Sequence, residues 1–200
     1  MRTAFLETAR RCLLQPVTFF RGMTPAGPLA PSLVYAVLVS ALAFSVQVVW
    51  QVMLPSPWPG LGVGTGEDGS GPLGGMLMIL AGLVLLPVVV PLLFLFLAGV
   101  YHVVLLLLGG PSRGYVATAR AVAYSSSAQL LAIVPVCGSV FALVWGTVLE
   151  VIALREAHGI QTGKAVAVVL VPLLLCAVAA LAMAALVLGV VGAAAVRGLE

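Results

Sequence analysis

Glu150 is the one acidic residue inside the long apolar stretches of this chain. A charge at the bilayer centre costs about 2.5–3.5 kcal/mol on insertion scales, so a carboxylate there faces protein or water. Two chemistries fit it: an ion pair tying two helices together, or a relay of protons or cations. Arg120 is the counter-ion that the spacing offers. It lies 15 residues before Pro135, and Glu150 lies 12 after Gly138, on either side of the turn Pro135–Val136–Cys137–Gly138. At 1.5 Å per residue the two depths differ by about 4–5 Å, so Arg120 and Glu150 are expected to meet across a helical hairpin.

A second polar group follows directly. Arg155, Glu156, His158 and Lys164 crowd into the short segment between two apolar runs. They are expected to form a docking face for a cytosolic partner or lipid headgroups, or a positively charged topology anchor. His158 has no second ligand near it in sequence, so a metal site is not expected. His102, seven residues before Gly109, is expected near the same interface as a snorkelling or hydrogen-bonded side chain. Gly159 and Gly163–Lys164 imitate a phosphate loop but have three residues between the glycines, and Ala165 where Ser or Thr is needed. Tyr124 and Ser125–Ser127 supply hydroxyls, yet neither histidine can be placed at their depth, and no metalloprotease or serine-hydrolase motif occurs. No catalytic residue, metal or cofactor is therefore expected. Cys12, Cys137 and Cys176 share no metal spacing and cannot all pair. Ala185, Gly189 and Ala193 recur every fourth residue, a stripe that packs inside the chain or forms the seam of a homodimer.

The elements that position these residues follow from composition. Of the 200 residues, 62% are hydrophobic and 8% charged, against about 45–50% and about 25% in soluble domains. With a mean hydropathy of +1.24, a 20.5 kDa body cannot hide so much apolar surface from water, so its solvent is lipid. Nine scattered Lys and Arg residues against six acids make no nucleic-acid face. The reading is an all-α integral membrane bundle: an N-terminal amphipathic segment over residues 1–28 and a membrane domain over 29–196. Its spans fall at about 29–54, 73–108, 116–134, 139–154 and 165–196.

Phe5, Leu6, Ala9, Cys12 and Leu13 share one helical face, which predicts a short helix at the membrane surface, and no signal-peptide pattern opens the chain. Residues 73–108 would be about 54 Å long as one helix, and Pro87 and Pro91 predict either one bent helix or two short ones. Residues 116–154 form a short hairpin that either crosses or re-enters.

Basic residues decide the sidedness. Five spans put Arg2, Arg10, Arg11, Arg21, Arg113, Arg120, Arg155 and Lys164 on the N-terminal side and only Arg197 opposite, eight against one. Splitting residues 73–108 gives five against four, and a single crossing over 116–154 gives seven against two. Five spans with a cytoplasmic N-terminus is the expectation, and a re-entrant hairpin shares that sidedness.

Several landmarks occur in order along the chain. They are Pro16, Phe19 and Phe20; His102 with Gly109–Gly110; Tyr124–Ser125; Pro135 and Gly138; Trp145; and the run Arg155–Glu156–Ala157–His158–Gly159. In this order and spacing the chain resembles the Yip domain family (Ypt-interacting protein), in particular its short bacterial branch. The resemblance implies a five-span helical domain in the bacterial inner membrane with a cytoplasmic N-terminus. Eukaryotic relatives act in vesicle traffic, bind prenylated GTPases and are linked to membrane shaping. Two departures set this chain apart from them: only about 28 residues precede the first span, and Ala123 stands before Tyr124 where many carry Gly, with no Asp-Leu-Tyr-Gly-Pro run.

The expected function is non-enzymatic membrane organisation, bilayer shaping or partner scaffolding, with lipids, a membrane or cytosolic protein, or a second copy as partners. The alternative is a small transporter or channel subunit whose polar site is lined by Glu150 and the Pro87/Pro91 kink.

Overall fold

The computed structural model describes residues 2–24, 26–53, 71–110, 113–135 and 137–197. Its elements are α1 (Arg2–Leu14), α2 (Pro16–Arg21), α3 (Ala30–Met53), α4 (Gly71–Leu107), α5 (Tyr115–Ser125), the 3-10 helix η1 (Ser126–Ile133), α6 (Gly138–His158) and α7 (Thr162–Arg197). Most of the expected loop 55–72, with Trp58, Glu67 and Asp68, lies outside the described residues, while Gly71 and Pro72 open α4.

Four helices are long and apolar enough to cross a membrane: Ala30–Gln51, Ile79–Leu107, Gly138–His158 and Thr162–Gly189. The α4 helix runs unbroken through Pro87 and Pro91, which selects the single-helix alternative. Bare apolarity specifies little about which face of these helices is inside, because lipid solvates Leu and Val as well as a protein core does.

The expected third span is the element that differs. Residues 116–134 form no uniform apolar helix; they form α5 followed by η1. The cause is local. Ser125, Ser126 and Ser127 return their hydroxyls to the carbonyls of Ala121, Ala123 and Tyr124 at 2.9, 2.6 and 2.7 Å. Such bonds compete with the backbone ladder, and here they coincide with its tightening to 3-10 geometry. This segment is also the bundle's interior. Ala117, Thr118, Ala119, Arg120, Ala121, Val122, Ala123 and Ser125 are all buried. Small alanines let the surrounding helices approach closely, and the buried middle of the segment has no need of long apolar side chains, whereas Val116, Ile133 and Val134 at its two ends are exposed.

Hydrogen bonds show how far this interior segment reaches. Tyr35 meets Ser127 at 2.7 Å, Ser40 donates to Gln129 at 2.9 Å, and the Trp50 indole donates to the Ile133 carbonyl at 2.9 Å. Residue numbers rise together on both partners, so η1 runs parallel to α3 as far as α3's last turns. The turn after it brings Gln47 to Ser139 at 3.3 Å. In native membranes, Cys137 is expected to react with an impermeant maleimide only from the side opposite the N-terminus. Labelling from the N-terminal side would identify a re-entrant hairpin.

The core sits at the near end of the bundle, where α3, α5 and α7 start and α4 and α6 finish. Phe20, Leu105, Leu149, Leu154 and Val168 are fully buried there. Pro16, pre-set for a first helical turn, starts α2, which lies against α6 and plugs Phe20 into that core. Burying such a side chain contributes about 1.5–3 kcal/mol. The apolar stripe expected on α1 divides between two environments. Ala9 and Cys12 turn inward, Leu13 packs against the core and Phe5 lies tilted against Tyr35 with ring centroids 5.4 Å apart, whereas Leu6 stays 65% exposed; Leu14, outside the stripe, is 71% exposed. Burial pushes the Cys12 thiol up to about 11, and its Sγ contacts the Tyr124 carbonyl at 3.3 Å.

Candidate functional site

The near end gathers nearly every polar group that the sequence singled out, though in different partnerships. Arg120 and Glu150 do not meet. The Arg120 guanidinium donates to the Thr24 carbonyl and reaches the Thr24 hydroxyl at 3.5 Å. Gly27 lets the α2–α3 connection close over it, because a Cβ at that position would lie 1.9 Å from an Arg120 terminal nitrogen. Glu150 instead accepts a 2.7 Å hydrogen bond from the Tyr101 hydroxyl of α4. Thr118 meets His158 and Ala128 lies beside Gly146, a register that sets Arg120 next to the last turns of α6 and away from Glu150. Tyr101→Phe is expected to cost about 1–3 kcal/mol by stranding the Glu150 carboxyl, and Glu150→Gln, which keeps an acceptor, to cost less. A double-mutant cycle between Arg120→Gln and Glu150→Gln should be additive within about 0.5 kcal/mol, and clear coupling would restore the ion pair.

Arg155, Glu156, His158 and Lys164 divide between surface and interior. Glu156 is a hub: one carboxylate oxygen takes Arg21 of α2 at 3.1 Å and the other takes Arg155 at 2.6 Å. Lys164 reaches the Gly109 carbonyl beyond the end of α4 at 3.4 Å, and Arg155 reaches Thr162 at 3.4 Å. Much of the expected docking face is therefore spent tying helix ends together.

His158 is not on that face at all. It is 1% exposed, at the last position of α6, which Gly159 ends by turning left-handed at φ 66°. Its Nδ1 accepts the Arg113 backbone N–H at 3.1 Å, and its Nε2 lies 2.9 Å from the Thr118 hydroxyl. Thr118 in turn lies 3.0 Å from His102 Nδ1. The Arg113 amide can only donate, so a neutral His158 carries its proton on Nε2 and gives it to Thr118. The Thr118 hydroxyl then donates to His102. The sequence left each histidine solitary; Thr118 on α5 joins them, and the two rings lie 6.3 Å apart. Among the described residues no three His, Cys, Asp or Glu side chains form a metal-binding group.

Thr118, Arg113, Tyr101, Thr24 and Arg21 are the partners that sequence reasoning missed. Each is joined to its target across 16 to 135 residues of chain, and no local spacing records such a pairing. Several of the landmark residues lie in the same region, Pro135 and Gly138 at the far turn being exceptions: Phe19 packs edge-on to Phe20 at 5.1 Å and to Tyr124 at 5.4 Å, and Trp145 packs against the main core. Gly109 turns left-handed at φ 61°, and Gly110 lies where a Cβ would meet Leu105 at 2.7 Å. On the last helix, Ala185 and Gly189 are exposed, and nothing lies within 4 Å of a Cβ built at Gly189. The stripe is therefore unused within the chain as far as Gly189, and the side chain of Ala193 lies outside the described residues.

No curated protein and no solved structure matches the chain. A family model, the Yip1 domain, matches residues 10–195, nearly the whole span of the elements just described. This integral membrane protein belongs to the Yip1 domain family.

Proposed function

We propose that this protein shapes the bilayer non-enzymatically, by occupying more of one leaflet than of the other. The observation that carries the reading is the uneven distribution of the core. At the near end α1 and α2 pack beside five further elements around Phe20, Leu105 and Leu154. Away from it, α7 is exposed from Leu173 to Gly189, and Leu80, Leu83, Val84 and Leu85 of α4 are exposed. A body broad at one interface and slender at the other favours lipid packing of matching curvature. The outward Leu6 and Leu14 of α1 add an amphipathic insertion at the broad side. The excess of basic residues on that side supports a cytoplasmic position for it. The near-end polar groups make contacts within the protein, and Glu150 lies in the α4–α6 contact through Tyr101, which supports packing over transport.

Reconstitution into large vesicles tests this. The wild-type protein is expected to tubulate them or reduce their diameter, and the Leu6→Glu/Leu14→Glu variant to lose most of that effect while keeping its thermal stability. Vesicles unchanged by the wild type would refute the reading. A stoichiometric protein carried with the chain from native membranes into nanodiscs would favour the partner-scaffold form instead. The free small-residue stripe supports a second copy as partner. Gly189→Leu is expected to reduce the crosslinked dimer several-fold, and an unchanged dimer would remove the seam.

A further inference from the structure

We infer that the cavity between α1, α2 and α5 is a site for the phosphate of an anionic phospholipid headgroup. The cavity measures about 540 Å³, and Glu7, Arg10, Arg11, Thr24 and Arg120 supply most of its charged and polar wall. Leu14, Phe19 and Met23 add an apolar flank suited to a glycerol backbone and the first carbons of an acyl chain.

The charges in this wall do not balance. Glu7 is the one acid on it, and Arg11 takes it at 2.6 Å. The other ion pairs among the described residues, Arg21–Glu156 and Arg155–Glu156, lie outside it. Arg10 and Arg120 are left without a carboxylate. For Arg10, on the open side of α1, water is compensation enough. For Arg120 it is not: this residue is 8% exposed, its one strong partner is the neutral Thr24 carbonyl, and its Nε is buried with no acceptor. A buried guanidinium without an anion is costly, and a phosphate matches its planar donors.

Position selects a lipid as the source of that phosphate. Leu6 of α1 faces outward and the exposed Leu14 stands at the cavity's rim, which puts this helix, and the cavity beside it, at the depth of the headgroups. The missing side chain of Gly27 lets the α2–α3 connection pass close over the Arg120 guanidinium. The assignment stands independently of bilayer shaping.

The test is native mass spectrometry and thermal unfolding of the full-length protein in detergent, titrated with phosphatidylglycerol, phosphatidylcholine or inorganic phosphate. Phosphatidylglycerol is expected to remain bound and to raise the unfolding temperature, with phosphatidylcholine several-fold weaker. Arg120→Gln should weaken phosphatidylglycerol about ten-fold, as expected for a charged hydrogen bond, and Arg10→Gln by a few-fold. Arg10 is exposed, so its variant reads the site even if Arg120→Gln fails to fold. Equal retention of the two lipids, or unchanged binding in Arg10→Gln, would overturn the proposal. An equal thermal shift from inorganic phosphate alone would overturn the lipid as its source.

Discussion

Gly138→Val should abolish most of the folded protein, with an expected cost of about 3 kcal/mol or more in any fraction that survives. Gly138 is the first residue of α6, and it is clasped by the end of η1. A Cβ added there would lie 2.5 Å from the Leu131 carbonyl oxygen, 3.0 Å from the Ala132 Cα and 3.2 Å from the Ala132 carbonyl carbon. All three are backbone atoms, so no side chain can swing aside to make room. Relief requires η1 and α6 to separate, which pulls on the Gly138 N–H to Val134 bond of 3.1 Å and on the Gly138 contacts that close the turn. Gly99→Ala in the middle of α4 is the control. Nothing lies within 4 Å of its added Cβ, and alanine is the better helix former, so its unfolding temperature should equal or exceed the wild type's. Thermal unfolding of both variants in the same detergent checks the contrast. A Gly138→Val protein as stable as Gly99→Ala would show that η1 and α6 are not in close contact at the turn.

This turn illustrates what the sequence could and could not carry. Pro135 and Gly138 mark a tight reversal, and the reversal is there. What they do not record is that the arm before it is the bundle's interior. The cues were present but ambiguous: alanine-rich composition, Thr118 and Arg120, and three consecutive serines read equally as a thin span or as a buried strut. Helix existence was legible because lipid demands about 20 apolar residues per crossing, and only a few stretches supply them. Helix rotation was not, because in a helix apolar on all sides no 3.6-residue period separates the inward face from the lipid face. The Arg120–Glu150 expectation failed on register: counting residues from the turn does not fix which positions of α5 and α6 lie side by side, and with Thr118 beside His158, Glu150 meets Tyr101 and Arg120 meets Thr24. Gly109 was visible as a break after α4, whereas the expected span ended at residue 154 and α6 runs on to His158, where Gly159 turns left-handed and stops it.

The link from His158 through Thr118 to His102 predicts strong coupling rather than two separate losses. His158→Phe keeps most of the ring volume but strands the Arg113 amide and alters the donor supply to Thr118, at an expected cost of about 2–4 kcal/mol. Thr118→Val keeps the shape and strands His158 Nε2–H inside a site where Thr118 is fully buried and His158 is 1% exposed, at about 1–3 kcal/mol. Each single variant therefore leaves an unpaired polar atom that the other variant removes. The double variant should cost less than the two singles added, by about 1–2 kcal/mol, and a thermal double-mutant cycle measures that difference. Simple addition within about 0.5 kcal/mol would mean that the two residues do not share a hydrogen bond. His102 provides the internal scale. It is only half-buried, so water can replace Thr118 as its partner, and His102→Gln should cost less than either buried variant. His158 ranks above Thr118 because its loss also strands the Arg113 amide, and His102 ranks last because it is only half-buried, while the shortfall in the double variant follows from the direction of donation set by that amide.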